Sequence, residues 1–384
     1  MTGQIKTPYY IIHEDKLRRN LELISHVSEQ SGAKIIMAFK ANALWKTFGI
    51  IRDYCQASTA SSLNEMRLSL EFLGNDVHAY CPVYTDTTIG EFVEGCNHIV
   101  FNSVAQYEKY RGFVDGYNAS NAAEKRVSCG LRVNPECSVI ETDIYNPCKP
   151  GSRFGVTRDV LGDVLPEGLE GLHFHCLCES TSYDLEKVLA AFEERFGEFL
   201  PRLKWVNMGG GHLMTRDGYD TDHLIDLLRR FRAKYPNLEV ILEPGSAFTW
   251  RTGELIATVL DVVENQGVKT AIIDASFACH MPDCLEMPYK PAITEALAEP
   301  VHGKPTYRIG GNSCLSGDFI GDWSFDKPLA PGDVLTFEDM NHYTTVKTNM
   351  FNGIDHPSMV LLRSDGAVET LREFGYEDYR NRMD

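Results

Sequence analysis

Residues whose side chain or backbone could do chemistry recur between residues 35 and 245, and they stand at the ends of short apolar runs. In chain order they are Lys40, Ser62, Ser103, Asn134, His175, Gly209, Gly210, Gly211 and Glu243. If the runs are neighbouring parallel strands, their carboxyl ends lie at one edge and these side chains surround one site. That site would combine an amine, an imidazole, a glycine loop and a carboxylate.

Lys40 ends the first run, in the segment of residues 37–42. Desolvation at such a position lowers the pKa of an amine and makes it nucleophilic. Taken by itself, a strand-end lysine more often extends its amine into water. The residues at the other strand ends favour the reactive interpretation.

The glycine triplet and Glu243 follow the seventh and eighth runs. Barrels commonly bind phosphate after strand seven, and glycine lets the backbone approach an anion closely. A carboxylate at the end of strand eight needs a partner, which a protonated pyridine nitrogen would supply. Together with Lys40, these residues predict pyridoxal 5'-phosphate as the cofactor. The alternative for the glycine triplet is a flexible turn, and the alternative for Glu243 is a structural ion pair.

The segment of residues 171–178 holds two histidines and two cysteines. Strand alternation puts His173 and His175 on one face and Cys176 and Cys178 on the other, which makes a tetrahedral zinc site geometrically awkward. We therefore expect no metal, and we expect His175 to stack on a flat cofactor. Cys314 lies in a polar, glycine-rich loop, where its spacing alone does not make it catalytic.

The elements that would position these residues form an eightfold repeat of a strand followed by a helix-length segment. The predicted strands are near-continuous apolar runs, as in a parallel sheet covered on both faces, and span residues 35–40, 57–62, 76–82, 98–103, 126–135, 169–177, 203–208 and 238–243. Asp222 is the predicted N-cap of the helix that follows strand seven. Eight such units predict a (β/α)8 barrel with its site at the carboxyl ends of the strands.

After Pro244 the pattern changes to apolar–polar alternation with turn signals such as Asn265-Gln266-Gly267. We predict a barrel domain over residues 1–250 and a C-terminal antiparallel β-sandwich or β-barrel over residues 251–384. The first residues of the chain are candidates to join the second domain.

The composition excludes several classes of protein. The 384 residues are 43% hydrophobic with a net charge of −17, which argues against nucleic acid or an anionic membrane as a partner. No basic-then-apolar leader and no apolar run of membrane-spanning length is present. Eleven cysteines, an odd number, predict reduced thiols in the cytoplasm rather than a disulfide framework.

The chain resembles the fold-type III pyridoxal-phosphate decarboxylases, the group with ornithine and diaminopimelate decarboxylases. Within that group it is most similar to the carboxynorspermidine/carboxyspermidine decarboxylases. The resemblance covers nearly the whole length and rests on ordered motifs at residues 37–42, 101–103, 131–135, 152–155, 173–176, 207–211, 243–245, 310–314 and 343–353.

The resemblance implies a role for each reactive residue. Lys40 would hold the cofactor covalently and His175 would stack on its ring. Glu243 would bind the ring nitrogen, and the three glycines would bind the phosphate with help from Tyr343. Cys314 would come from the partner subunit as the general acid, so the resemblance implies a head-to-tail homodimer with shared active sites.

Three departures from the relatives bear on the substrate. Ser246 stands where they carry an arginine, Leu315 follows the thiol in place of an aspartate, and residues 176–180 replace their strand-end motif. These changes disfavour ornithine and diaminopimelate and suit a longer polyamine. Its amines would need acidic partners, for which the candidates are Glu141, Asp143, Asp274 and Asp318.

The expected function is therefore decarboxylation of carboxynorspermidine, carboxyspermidine or both to norspermidine and spermidine in polyamine biosynthesis. A decarboxylase of diaminopimelate or another basic amino acid is the enzymatic alternative. A non-catalytic, decarboxylase-like binding protein is the other, and the retention of Lys40, Glu243 and Cys314 argues against it.

Overall fold

The computed structural model describes residues 5–384, and the chain divides into two units. One unit is Arg19–Phe248, which contains all the predicted strand-end residues of the first eight repeats. The other combines residues 5–18 with Thr249–Asp384.

The first unit is built on a ring of parallel strands, as predicted. In chain order its strands are Lys34–Ile35 with Met37–Ala38, Ala57–Ala60, Asp76–Tyr80, His98–Phe101, Ser128–Arg132, Gly171–His173, Trp205–Asn207 and Glu239–Leu242. The first strand is interrupted at Ile36, where Lys34–Ile35 pairs with the last strand and Met37–Ala38 with the second. Because one short segment makes both pairings, the sheet closes into an eight-stranded barrel, and this prediction is confirmed.

Helices connect the strands of this unit. The α-helices from the amino terminus to the end of the barrel are Glu14–Ser31, Phe48–Arg52, Leu63–Phe72, Ile89–Gly95, Val104–Ser120, Arg158–Leu161, Ser182–Phe196, Thr221–Lys234 and Ser246–Thr249. Short 3-10 turns occupy Trp45–Thr47, Ala123–Lys125, Asp143–Tyr145 and Gly197–Arg202. Within residues 5–384, no helix is both long and apolar enough to cross a bilayer.

Three polar residues near these helices have a different role from the expected one. Ser62 and Ser103 accept hydrogen bonds from the backbone N–H of Glu65 and Gln106, so both serines are helix N-caps. The N-cap of Thr221–Lys234 is Asp220 rather than Asp222. All eight strands also end earlier than predicted, by one to four residues.

The centre of the barrel is filled by an apolar layer, which we call the lumen layer. Its members are Ile36, Ala57, Val100, Trp205 and Ile241. Glycine is required beside the indole, since a Cβ on Gly130 or Gly171 would lie 2.1 Å from ring atoms of Trp205. Because side chains two residues apart share a face, residues two positions beyond this layer point into the carboxyl end of the barrel.

The second unit is a nine-stranded sheet with short helices. Its strands are Tyr9–His13, Gly253–Asn265, Val268–Ile273, Ala296–Leu297, Thr306–Gly310, Phe319–Phe325, Val334–Phe337, Ser358–Leu362 and Val368–Arg372. The helical segments are Phe277–His280, Pro282–Glu286, Tyr343–Val346, Phe351–Gly353 and Tyr376–Met383.

The prediction of a purely antiparallel sheet is wrong, because two of the pairings are parallel. Tyr9–His13 runs parallel to Ser358–Leu362, and Val268–Ile273 runs parallel to Thr306–Gly310. A parallel pair needs a long crossover connection, and both pairs are separated by long stretches of chain. Local alternation predicts that a strand forms and does not report which distant strand it joins.

Candidate active site

The amine of Lys40 lies beside the imidazole of His175 at the carboxyl end of the barrel, with Nζ and Nε2 3.3 Å apart. The backbone N–H of Gly210 donates to Nδ1 of His175 at 2.9 Å. Since Nδ1 is an acceptor, the proton of the neutral ring belongs on Nε2. A hydrogen bond from Nε2–H to Lys40 then requires an uncharged amine.

The electrostatics favour the same state. Lys40 is exposed by its accessible surface, yet enough protein surrounds the amine for desolvation to lower its pKa. Glu243 opposes this shift and Arg132 adds to it. Burial, followed by the charges of Lys40 and Arg132, holds the pKa of His175 well below its ordinary value. The lowered pKa increases the fraction of neutral Lys40 amine at a given pH, and the neutral amine is the nucleophilic form.

Glu243 is the anionic group of this cluster. Its side chain is buried, Oε1 accepts a hydrogen bond from Asn207 Nδ2 at 2.6 Å, and Oε2 lies 3.5 Å from His173 Nε2. Burial alone would raise the pKa of Glu243, but the interactions with His173 and Asn207 outweigh it and lower the pKa to about 2. The carboxylate is thus charged at neutral pH.

The glycine triplet packs tightly against neighbouring strand ends. Gly209 and Gly211 have φ angles of +71° and +89°, and a Cβ on Gly210 would lie 2.4 Å from the carbonyl oxygen of Glu243. The N–H of Gly209 donates to Asn207 Oδ1, and that of Gly210 to His175. Only glycine fits this path, which leaves an uncluttered loop beside Lys40 and Glu243.

Arg132 and Tyr80 are site residues that the sequence reasoning did not identify. The guanidinium of Arg132 is buried, lies 4.7 Å from the ring centroid of Tyr80, and donates to the carbonyl of His175 at 3.2 Å. Tyr80 donates its hydroxyl proton to Asn102, which also receives the N–H of Gly155. A usable signal existed, since Arg132 lies two residues before Asn134 and so shares its strand face.

The remaining sequence candidates of the barrel unit are Asn134, Glu141 and Asp143. Asn134 is buried and accepts the N–H of Glu136 in a local turn. Glu141 and Asp143 are exposed, and Asp143 lies 3.3 Å from Lys149. An amine-binding role for these two acids stays a prediction.

The second unit contains the loop with Cys314. The thiol residue is exposed, and its N–H donates to Asn352 Oδ1 at 2.8 Å. The carboxylate of Asp318 is buried and accepts hydrogen bonds from the N–H and hydroxyl of Ser313, the hydroxyl of Ser276 and the N–H of Ala278. These contacts make Asp318 the organiser of the loop, and its predicted binding of a substrate amine stays untested.

Asp274 and Tyr343 also belong to the second unit. Asp274 accepts hydrogen bonds from the hydroxyl of Thr7 at 2.6 Å and the N–H of Thr258 at 2.7 Å. Tyr343 begins the short helix Tyr343–Val346 and is partly buried. Their predicted roles towards substrate and phosphate remain predictions.

Three side chains that could in principle bind a metal ion lie together at the opposite end of the barrel. They are Asp76, His78 and His98. The ammonium of Lys34 is already 2.8 Å from Asp76 and 3.1 Å from His78. The two imidazole rings stack with centroids 4.0 Å apart, so their in-plane lone pairs do not converge on one point. The group is an ion-pair network rather than a convincing metal site.

Comparison with known proteins identifies a family of decarboxylases. The family model of the pyridoxal-dependent decarboxylases, described as their C-terminal sheet domain, matches residues 83–341. The chain belongs to this family. The protein is accordingly a carboxy-lyase with the barrel and sheet domains of these decarboxylases.

Full-length relatives narrow the comparison. The chain is 45% identical to carboxyaminopropylagmatine decarboxylase of Synechocystis sp., over 99% of this chain and 96% of the relative. It is 40% identical to carboxynorspermidine/carboxyspermidine decarboxylase of Campylobacter jejuni, over 99% of both chains. The corresponding enzyme of Herminiimonas arsenicoxydans is 37% identical over 98% of both.

A solved structure agrees with these relatives. The carboxynorspermidine decarboxylase of Campylobacter jejuni, in complex with norspermidine, superposes with a TM-score of 0.88 and 39% identity, covering 98% of this chain and 100% of that one. Diaminopimelate decarboxylase from Helicobacter pylori has a TM-score of 0.83 at 17% identity and shares the fold alone.

Proposed function

We propose that this enzyme removes the carboxylate from carboxynorspermidine, carboxyspermidine or both, to give norspermidine and spermidine. The observation that carries the proposal is the cluster at the carboxyl end of the barrel, in which the Lys40 amine, with its lowered pKa, lies 3.3 Å from His175, and the buried Glu243 is charged. Two full-length relatives whose names specify these substrates support it.

Pyridoxal phosphate, when bound, would supply an aldehyde for amine capture and an electron-withdrawing ring that stabilises charge left behind by departing carbon dioxide. The residues present fit this group. Lys40 provides the amine, His175 a flat face, and Glu243 an anion for the ring nitrogen. The glycines at 209–211 leave room for the phosphate, which we expect Tyr343 to contact as well.

Lys40 has two tasks in this scheme. Its neutral amine would hold the cofactor, and once released from it the amine would remain beside His175 as a base within the site. Burial and the charge of Arg132 lower the pKa of Lys40, and Glu243 opposes them. The carboxylate of Glu243 stays ionised throughout, because its pKa of about 2 lies far below neutral pH.

We further propose that Cys314 of the partner subunit supplies the proton that replaces carbon dioxide, in a head-to-tail homodimer. An exposed thiol held through its backbone by Asn352 supports this assignment.

None of the eleven cysteines, all within residues 5–384, forms a disulfide, which supports a reducing, cytoplasmic location.

The shared-site proposal has a direct test. Lys40→Ala and Cys314→Ala homodimers should each be inactive, and mixing them with subunit exchange should restore about a quarter of wild-type activity, because half the dimers then carry one intact site. Mixtures that stay as inactive as their parents would contradict it. Mixing each variant with itself is the control.

For the substrate tail we propose acidic partners among Glu141, Asp143, Asp274 and Asp318. The first two are exposed, whereas Asp274 and Asp318 already accept several hydrogen bonds inside their unit. Alanine variants separate the cases. Replacing an acid that binds the substrate tail should raise KM for the natural substrate about tenfold. Replacing an acid with a structural role should lower thermal stability and leave KM nearly unchanged.

A second candidate substrate is carboxyaminopropylagmatine, because the relative at 45% identity is named for it. That molecule ends in a guanidinium, which forms two parallel hydrogen bonds with a carboxylate where an ammonium acts as a point charge. The acid that receives the tail would therefore discriminate between the two substrates.

The deciding experiment measures carbon dioxide release and identifies the product by mass spectrometry. The purified enzyme, with added pyridoxal phosphate, is offered carboxynorspermidine, carboxyspermidine, carboxyaminopropylagmatine and diaminopimelate. We expect the highest kcat/KM with one of the first two and a rate about a hundredfold lower with diaminopimelate. A preference for the agmatine derivative would replace the first proposal with the second, and turnover of none would reject both.

A further inference from the structure

His173 is a buried residue for which the scheme above has no task. It lies on the strand Gly171–His173, two residues before His175, so both imidazoles point towards the carboxyl end of the lumen. We propose that His173 is a positioning residue that holds Glu243 as a fixed anion facing the ring nitrogen of the bound cofactor. This inference rests on the proposed use of pyridoxal phosphate.

The geometry gives His173 one polar neighbour of consequence. The side chain is 1% exposed, and neither ring nitrogen has a hydrogen-bond partner in the described part of the chain. Nε2 approaches Glu243 Oε2 at 3.5 Å, and the ring otherwise packs against Tyr80 with centroids 5.3 Å apart. A buried imidazole without partners is costly, so a slight closing of the gap to Glu243 satisfies both groups.

The two oxygens of Glu243 are thereby held by two different donors. Asn207 donates to Oε1 at 2.6 Å and His173 faces Oε2. Burial lowers the pKa of His173, although Glu243 opposes that shift, so the imidazole is a neutral donor at neutral pH. Neutral donors orient the carboxylate and leave its negative charge in place, whereas an arginine there would cancel the charge.

The consequence concerns one proton. A carboxylate with two hydrogen-bond donors binds a proton weakly, so a proton shared with a ring nitrogen stays on the nitrogen. A protonated ring is the stronger electron acceptor, which is what decarboxylation needs. Loss of His173 moves that proton towards Glu243 and weakens the acceptor. The other charged or titratable groups acting on this pair are Lys40, Arg132, His78, His98 and His212.

The first test needs neither cofactor nor substrate. Carbon-13 NMR of labelled glutamate, with the Glu243 signal assigned through Glu243→Gln, follows its titration in the wild type and in three variants. His173→Leu removes the donor, His173→Gln keeps an amide donor, and His223→Gln changes a histidine of the helix Thr221–Lys234 whose carboxylate neighbour is Glu186. We expect the pKa of Glu243 to rise in His173→Leu, to rise less in His173→Gln, and to stay at the wild-type value of about 2 in His223→Gln.

The second test uses the loaded enzyme. We expect His173→Leu to lower kcat roughly tenfold with KM changed little, since one pKa unit corresponds to a tenfold change in an equilibrium. His173→Gln should recover most of the loss. Absorption of the bound cofactor should shift towards the form with an unprotonated ring in His173→Leu alone. Equal titration of Glu243 in folded His173→Leu and wild type overturns the inference.

A third measurement covers the case in which His173→Leu fails to fold. Nitrogen-15 NMR of wild-type histidines reports which ring nitrogen carries the proton. The inference requires Nε2–H and a bare Nδ1 at His173, and the opposite tautomer overturns it. The nitrogen-15 measurement and the glutamate titration both use protein without cofactor. They therefore remain informative even if no carboxylated polyamine is turned over. A lack of turnover would reject the proposed function and not this inference.

Discussion

The two ends of the barrel carry the same kinds of side chain in different electrical arrangements. At the amino-terminal end, Lys34 lies 2.8 Å from Asp76 and 3.1 Å from His78. At the carboxyl end, Lys40 lies 3.3 Å from a neutral His175. A lysine, an acid and histidines are present at both ends, yet only one end has the character of a reactive site.

The difference lies in which charges meet. The Asp76 carboxylate is satisfied by its own lysine, and the interactions with His78 and Lys34 hold its pKa far below the ordinary value despite the opposing effect of burial. Lys40 has no carboxylate within ion-pair distance in the described structure, and Glu243 is held by neutral donors. The separation is not complete, because His78 also contributes to lowering the pKa of Glu243.

The largest expected effect comes from exchanging the two lysines in turn for alanine. Lys40→Ala should abolish covalent attachment of the cofactor and lower decarboxylation by more than about a thousandfold. Lys34→Ala, the matched control, should retain both properties with a modest loss of thermal stability. Absorption of the attached cofactor and carbon dioxide release are the measurements. An active Lys40→Ala enzyme would break the comparison.

The two acids should separate in the same way with a smaller effect. Glu243→Gln should lower kcat by about tenfold to a hundredfold, because the ring nitrogen loses its anion. Asp76→Asn should leave kcat unchanged and lower the free energy of unfolding by about 1 kcal/mol, since the ion pair is partly exposed. Steady-state kinetics and denaturant titrations measure the two. An equal effect of both changes on kcat would remove the distinction.

The packing of the lumen layer can be tested through a glycine that lies against Trp205. Gly171→Ala places a methyl group where Trp205 ring atoms lie 2.1 Å away, so we expect a destabilisation of about 1–3 kcal/mol. Gly112→Ala is the matched control, because no atom lies within 4 Å of its Cβ and the residue is inside a helix. That variant should be neutral or slightly more stable. Equal stability of the two variants would show that the layer is not tightly packed.

The smallest effect concerns the pH at which Lys40 reacts. Its pKa is lowered from the ordinary 10.5, so the neutral amine is present at a lower pH in the folded protein than in the unfolded chain. Competitive labelling of the protein without cofactor, read by peptide mass spectrometry, should show Lys40 reaching half its maximal reactivity at lower pH than in urea. A matching or higher midpoint would mean that Lys40 is an ordinary solvated amine.

Much of the barrel and its site can be predicted from local sequence. Eight apolar runs ending in polar or glycine residues indicate parallel strands, and the carboxyl-end rule then selects Lys40, His175 and Glu243 as neighbours. The contact of Lys40 with His175 is seen in the structure. Arg132, Asn207 and the role of His173 could not be predicted with the same ease, because their partners lie on strands far away in the chain.

The sheet unit shows the same limit. Alternation correctly indicates strands after Pro244, but the parallel pairing of Tyr9–His13 with Ser358–Leu362 joins the two ends of the chain. Asp318 was predicted as a ligand for an amine, and its four hydrogen bonds to Ser276, Ala278 and Ser313 depend on a loop path that no local pattern reveals.

The sequence by itself determined which side chains stand at strand ends, since a run of apolar residues and its polar end are local features. It did not distinguish Lys34 from Lys40 by charge state, because the two are six residues apart and an uninterrupted strand would point both inward. Only the tertiary structure decided that Lys34 meets Asp76 and that Lys40 meets His175. The physical reason is that the pKa of a buried group depends on its nearest charges, and strand register brings those charges from distant parts of the chain.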